Sequence, residues 1–377
     1  MTKDKLKVLT VVGTRPEIIR LSRTIALLDQ HVNHILVHTG QNYDYELNDI
    51  FFRDLEIRKP DYFMTVDTSS LGAVVGDIIR KSEVVLLKEK PDAMLVLGDT
   101  NSCLAAYMAK RMHIPVFHME AGNRCFDENV PEETNRRIID HIADYNLVYT
   151  EHARRHLISE GLPHRRIYLT GSPMFEVLQY YMPKIIKSDV LDRLSLEPKR
   201  YFVVSTHREE NVDIPENLLK IIGILNSLAE EYDLPVIVST HPRTRRRLED
   251  LQKINLDKRL QFLKPLGFFD FVHLQMNALC TLSDSGTISE ESAILSFPAV
   301  SIRQSMERPE AQDTGTIILT GFDKRSVLDS VELVRKEYHK ERERVIPVDY
   351  QVPDTSWRVL KLIIGNAGLS NIWHNVK

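Results

Sequence analysis

Short apolar runs alternate with longer amphipathic stretches along this chain, and the alternation occurs twice. The first series of runs is Leu6–Val12, His34–His38, Ala93–Leu97, Pro115–Met119, Tyr145–Tyr149 and Ile167–Thr170, each short and bounded like a buried parallel strand. Between them Glu17–Leu28, Leu71–Glu89, Ser102–Met112 and Glu151–Glu160 carry apolar residues at helical spacing, which together predicts a doubly wound sheet. A second series then begins: Tyr201–Ser205, Val236–Ser239, Leu260–Leu263, Leu279–Leu282 and Ala299–Ile302, separated by helices such as Leu218–Tyr232 and Ile288–Leu295. The expected fold is therefore α/β, with two Rossmann-like doubly wound domains and a cleft between them as the place for chemistry. The stretch Gly171–Lys199 contains no clean strand and holds the boundary, giving domains at 1–172 and 173–354. A terminal helix at about 355–377, beginning as a pattern over Ser356–Ile364, is expected to return to the first domain, and Val327–Arg344 reads as a helix with a solvated charged face.

Composition narrows the partners. The chain has 377 residues, 43% hydrophobic and 27% charged, with a formal net charge of -4 spread over both signs. That balance supplies no global field for nucleic acid or an anionic membrane, so any anion site must be local. Cys103, Cys125 and Cys280 lie far apart with no Cys-x-x-Cys spacing, and the first apolar run is too short for a signal peptide or spanning helix; both point to the cytoplasm.

Open parallel sheets place ligands at the carboxyl ends of their strands, so the residues just past each run are the ones to inspect. After the first stands Gly13-Thr14-Arg15-Pro16-Glu17, a tight turn into a helix whose amino end, with Arg15, suits a phosphate. Alone, it reads equally well as a capped helix with a surface arginine. Gly-x-Gly-x-x-Gly and Gly-Lys-Ser/Thr are both missing from the sequence, so neither a nicotinamide cofactor nor a nucleotide hydrolase is favoured. Gly98-Asp99 ends the third run, Glu120-Ala121-Gly122 ends the fourth, and Glu132-Glu133 opens the helix after it. Asp99 and Glu132 serve as plain helix-capping acids if taken singly, but three acids at one mouth would shift one another's protonation and divide acid and base work. In the second series His207-Arg208 and His241-Pro242-Arg243 place cations at strand ends. Ser285 and Gly286 would offer backbone amides to an anion, with Glu291 further along facing ribose hydroxyls and Arg308 available to a diphosphate. The strand-end histidines His207 and His241 show no His-x-x-x-His or comparable spacing, and no metal is predicted.

Taken in order, Gly-Thr-Arg-Pro-Glu, Gly98-Asp99-Thr100, Glu120-Ala121-Gly122, Pro131-Glu132-Glu133, His207-Arg208, Asp284-Ser285-Gly286 with Glu290-Glu291, and Glu307-Arg308-Pro309-Glu310 resemble the non-hydrolysing UDP-N-acetylglucosamine 2-epimerase family over nearly the whole chain. The resemblance implies the two-domain glycosyltransferase-B arrangement, a homodimer, and a reaction in which UDP is eliminated from a UDP-amino sugar and added back after the second carbon has been reprotonated on the other face. It implies no cofactor. It assigns proton transfer and charge stabilisation to Asp99, Glu120 and Glu132, the leaving diphosphate to Arg15, His207 and Arg308, phosphate and ribose to Ser285, Gly286 and Glu291, and the nucleotide side to His241. The His207-Arg208 pair makes Arg208 a further candidate for UDP, Arg20 is a further candidate for binding the substrate or UDP, and His207 counts with the three acids as catalytic. The chain departs from the common members at Ile18-Ile19-Arg20, where Arg20 replaces a lysine, at Asn42–Asn48, and at Gly122-Asn123-Arg124-Cys125-Phe126. These strings look more like the subgroup that makes UDP-N-acetyl-L-fucosamine from UDP-2-acetamido-2,6-dideoxy-L-talose, for capsule or O-antigen. Epimerisation of UDP-N-acetylglucosamine or of a diacetamido uronic acid, hydrolytic release of the sugar, glycosyl transfer on the same architecture, and non-catalytic nucleotide-sugar binding remain as alternatives.

Overall fold

A computed structural model describes residues 5–41, 51–206, 208–240, 242–250, 255–338 and 345–373. It divides into two compact units, residues 1–178 with 348–377 and residues 179–347. The first transition thus falls inside the helix Met174–Ile185 rather than at residue 172, and the chain re-enters the first unit at Val348 rather than near 355.

The first unit is built on a seven-stranded sheet: β1 (Lys7–Val12), β2 (Asn33–His38), β3 (Tyr62–Phe63), β4 (Ala93–Leu97), β5 (Val116–Ala121), β6 (Tyr145–Val148) and β7 (Ile167–Leu169). All pairings are parallel, in the order β3-β2-β1-β4-β5-β6-β7. Alternate residues Leu9 and Val11, Met94 and Val96 point to one face and pack with Ile78, Leu86, Ala105, Ala109 and Ile139. Helices on both faces of such a sheet explain why its strands read as apolar runs and not as alternating patterns. The helix Arg15–His31 starts at an extended Thr14, has Pro16 and Glu17 in its first turn, and buries Ile18, Leu21, Ile25 and Leu28 along one stripe. It packs against the last helix, Thr355–Trp373. That helix is tied down where it begins: Thr355 donates to the carbonyls of Thr170 (3.3 Å) and Ser172 (3.2 Å), and the Ser356 amide donates to Glu176 at 2.9 Å.

The second unit repeats the plan with six parallel strands, β8 (Phe202–Thr206), β9 (Val236–Thr240), β10 (Leu260–Leu263), β11 (Cys280–Ser283), β12 (Ala299–Ser301) and β13 (Ile318–Leu319), in the order β10-β9-β8-β11-β12-β13. Phe202, Val204, Val236 and Val238 pack on one face with Ile221, Leu225, Leu228 and Val331; Val203 and Ile237 pack on the other with Val190 and Leu274. In each sheet the winding direction reverses beside the first strand, between β1 and β4 and between β8 and β11, where the crevice of a doubly wound fold lies. Among the described residues no helix is long and apolar enough to cross a membrane.

Candidate active site

In both units a buried carboxylate joins the strand ends at this reversal. In the first it is Glu17, which accepts from the amides of Gly13 and Thr14 and from the hydroxyls of Thr100 and Ser102, the last at 2.8 Å. Burial pushes its carboxyl above the ordinary value, against those hydrogen bonds. Gly13 has no room for a side chain: an added Cβ would lie 2.5 Å from Thr39 Oγ1. In the second unit Asp284, wholly buried, accepts from the Arg208 amide at 3.1 Å and from Asn211 Nδ2 at 2.8 Å.

Past β4 comes Asp99. Arg136 approaches its Oδ2 with Nε at 3.0 Å and Nη2 at 2.7 Å, and Asn135 donates to its carbonyl at 2.9 Å. Among the described residues Asp99 Oδ1 has no hydrogen-bond partner. Near the end of β5, and next to Asp99's strand in the sheet, stands Glu120, at a shift of register and with a left-handed backbone (φ +66°). A non-glycine residue in that region carries strain of about 1 kcal/mol or more, and such strain collects at functional sites. Its carboxylate is paired through Oε2 with Nη1 of buried Arg20, and Oε1 accepts from Asn123 Nδ2 at 3.3 Å. Asp99 and Glu120 are each paired with a guanidinium, that of Arg136 and that of Arg20.

The turn after Glu120 rests on a network absent from the sequence reading. Asp140, wholly buried, takes the Gly122 amide on both oxygens at 3.2 Å, Arg124 Nη1 at 2.7 Å, and lies 3.0 Å from His118 Nδ1, while His118 Nε2 is 2.9 Å from the Gly98 carbonyl. Arg124 also forks onto Glu160 at 2.7 Å through Nε and Nη2, and this holds the Glu160 carboxyl down at about 2. Gly122 has φ +80° and passes so close to the next helix that a Cβ would meet the Ala153 carbonyl at 2.4 Å. Glu132 sits partly exposed in the first turn of the helix Pro131–Ile142. Its neighbour Glu133 is the buried acid, bound by the Cys125 amide (3.2 Å), Arg136 (2.9 Å) and Arg137 (3.0 Å). Burial opposes its charge, but these contacts prevail and keep its carboxyl low. The periodicity of that helix was the available signal, since Glu133, Arg136, Ile139 and Asp140 all lie on its buried face.

Arg15, the first residue of its helix, places its guanidinium 5.3 Å from the centre of the Phe51 ring. In the second unit Arg208 Nε donates to the Asp284 carbonyl at 3.1 Å and Nη2 lies 3.2 Å from Glu307, which Arg303 also holds. Arg308, buried, pairs with Glu290 and lies against Gly286, where an added Cβ would be 3.4 Å from its Nε. Glu291 accepts from Gln275 at 3.0 Å, and the Ser285 amide, expected to face a ligand, donates to Ser283 Oγ at 3.0 Å. His207, His241 and the Asn42–Asn48 string lie outside the described residues. Among the described residues no group of three or more His, Cys, Asp or Glu side chains is placed to hold a metal ion.

Two doubly wound sheets, each ending its central strands in paired acids and arginines, define the class of two-Rossmann-domain nucleotide-sugar enzymes. Residues 26–364 match the family model described as UDP-N-acetylglucosamine 2-epimerase, and the chain belongs to that family. It is a UDP-sugar 2-epimerase of the non-hydrolysing kind. It is similar to the structure of UDP-N-acetylglucosamine 2-epimerase from Rickettsia bellii, with 50% identity, a TM-score of 0.90, and 98% of this chain and 100% of that one covered. The Methanocaldococcus jannaschii enzyme in complex with UDP-GlcNAc and UDP gives 34% identity and a TM-score of 0.89 over 96% of this chain and 100% of that one. The UDP-2,3-diacetamido-2,3-dideoxy-D-glucuronate 2-epimerase of Pseudomonas aeruginosa is 33% identical over 86% of this chain and 91% of its own length.

Proposed function

We propose that the chain inverts the second carbon of UDP-2-acetamido-2,6-dideoxy-L-talose to give UDP-N-acetyl-L-fucosamine for capsule or O-antigen synthesis, acting as a homodimer in the cytoplasm. The bond from the anomeric carbon to the diphosphate breaks, with UDP leaving on its electron pair, while the proton on the second carbon passes to a protein carboxylate. The resulting glycal takes a proton back on its opposite face as UDP adds again, so atoms and charge return to their starting count. Asp99, Glu120 and Glu132 share removal and return of the proton and stabilise the developing positive charge. Arg15, His207, Arg208 and Arg308 hold the diphosphate, Ser285, Gly286, Glu291 and His241 the rest of the nucleotide, and Arg20 the charge of Glu120. The observation that carries this reading is the pair of carboxylates at the ends of neighbouring strands β4 and β5, each set by its own arginine.

The choice of sugar rests on Ile18-Ile19-Arg20-Leu21-Ser22, Asn42–Asn48 and Gly122–Phe126. Epimerisation of UDP-N-acetylglucosamine to UDP-N-acetylmannosamine is the second reading, favoured by the names of the relatives above. Proton NMR in heavy water with both sugars decides between them. Conversion of the talose derivative with deuterium entering at the second carbon supports the first, and conversion of UDP-N-acetylglucosamine alone establishes the second.

A further inference from the structure

Glu120 is held at both carboxylate oxygens, and the two holds differ in kind. Oε2 is paired with Arg20, 5% exposed, which supplies the countercharge. The torsion to a planar terminal group is broad, so each contact narrows the orientations open to the carboxylate. The contact from Asn123 Nδ2 to Oε1 at 3.3 Å narrows them on the other oxygen. Asn123 is itself fixed: its carbonyl accepts from Arg124 Nη1 at 2.7 Å, and Arg124 is clamped by Asp140 and Glu160. The clamp therefore reaches Glu120 through the side chain of Asn123, three residues past the strained backbone at position 120.

We propose that Asn123 is a positioning residue that orients the Glu120 carboxylate for the reaction. The claim for catalysis rests on the reading above of Glu120 as a reacting carboxylate. The contact itself does not.

The test uses Asn123→Ala and Asn123→Asp in the full chain, the second having the same shape but an acceptor where Asn123 has its donor. Asn123→Ala is expected to lower kcat about tenfold with KM within about twofold, and Asn123→Asp to lower it further at similar KM. A residue with only a structural role would tolerate the isosteric aspartate better than alanine. Unchanged kcat in Asn123→Ala, or Asn123→Asp as active as Asn123→Ala or more so, overturns the proposal. A second measurement needs no turnover: thermal unfolding of Asn123→Asp with and without Glu120→Gln. Asn123→Asp sets two carboxylates face to face and should lower the midpoint, and adding Glu120→Gln should restore most of the loss. Failure to restore it overturns the proposal whatever the enzyme acts on. Restoration in a protein that turns over no UDP sugar would uphold the contact and refute the functional reading instead.

Discussion

Replacing Asp140 by asparagine changes one atom in a wholly buried carboxylate of the first unit. It accepts from the Gly122 amide at 3.2 Å and from Arg124 Nη1 at 2.7 Å, and lies 3.0 Å from His118 Nδ1. Breaking a buried ion pair by removing one partner costs about 3–5 kcal/mol. Arg124 keeps its fork onto Glu160, and the amide oxygen still accepts from Gly122, so the low end, about 3 kcal/mol, is expected. For a unit of this size that is roughly 6–12 °C in the unfolding midpoint. Both tryptophans, Trp357 and Trp373, lie on the last helix and belong to the first unit, so intrinsic tryptophan fluorescence reports its melting directly. A drop below about 2 °C would mean that Arg124 and Gly122 do not rely on Asp140 and would refute the network as drawn.

Changing Glu120 to glutamine or Asp99 to asparagine should abolish turnover while leaving UDP affinity, measured by calorimetry, largely intact; loss of affinity with turnover per bound enzyme preserved would remove both from the proton-transfer role. Arg308→Met leaves the buried Glu290 without that partner and should weaken UDP binding by about tenfold or more and lower the second unit's stability, whereas wild-type affinity would take Arg308 off the diphosphate. Burial lowers the imidazole of His38 to about 4 while its Nδ1 accepts from the Gly40 amide at 2.9 Å. The unfolded chain therefore takes the proton first, and stability should fall by roughly 3 kcal/mol as pH descends from 6.5 to 4 and fall no further from this source below that. Urea midpoints across that range should show the loss in the wild type and not in His38→Asn.

Most of the architecture was legible because a strand buried on both faces must be an apolar run, and a helix lying on it must keep its stripe. Ala93–Leu97, Leu260–Leu263, Leu71–Glu89 and Ile288–Leu295 have the bounds read from sequence. Tyr62–Phe63 and Ile318–Leu319 escaped, since a two-residue edge strand pairs on one side only and buries too little to leave a pattern. Positions of the acids followed from strand ends, but their partners did not. Arg136 reaches Asp99 from 37 residues away and Arg20 reaches Glu120 from 100, and no local signal encodes such pairings. Asp140 and His118 looked like ordinary members of a helix and a strand for the same reason.

The chain's passage between the two units affects the order in which it is made. Residues 179–347 form an unbroken segment, so a ribosome releases everything the second unit needs before the first unit has received its last helix. The strands carrying Asp99 and Glu120 are translated early, yet the helix Arg15–His31 gains its packing partner Thr355–Trp373 only at the end of synthesis. Domains usually complete in the order of translation. Here the unit translated first is the one completed last, and a truncation after residue 347 would leave a finished second unit attached to an open first one.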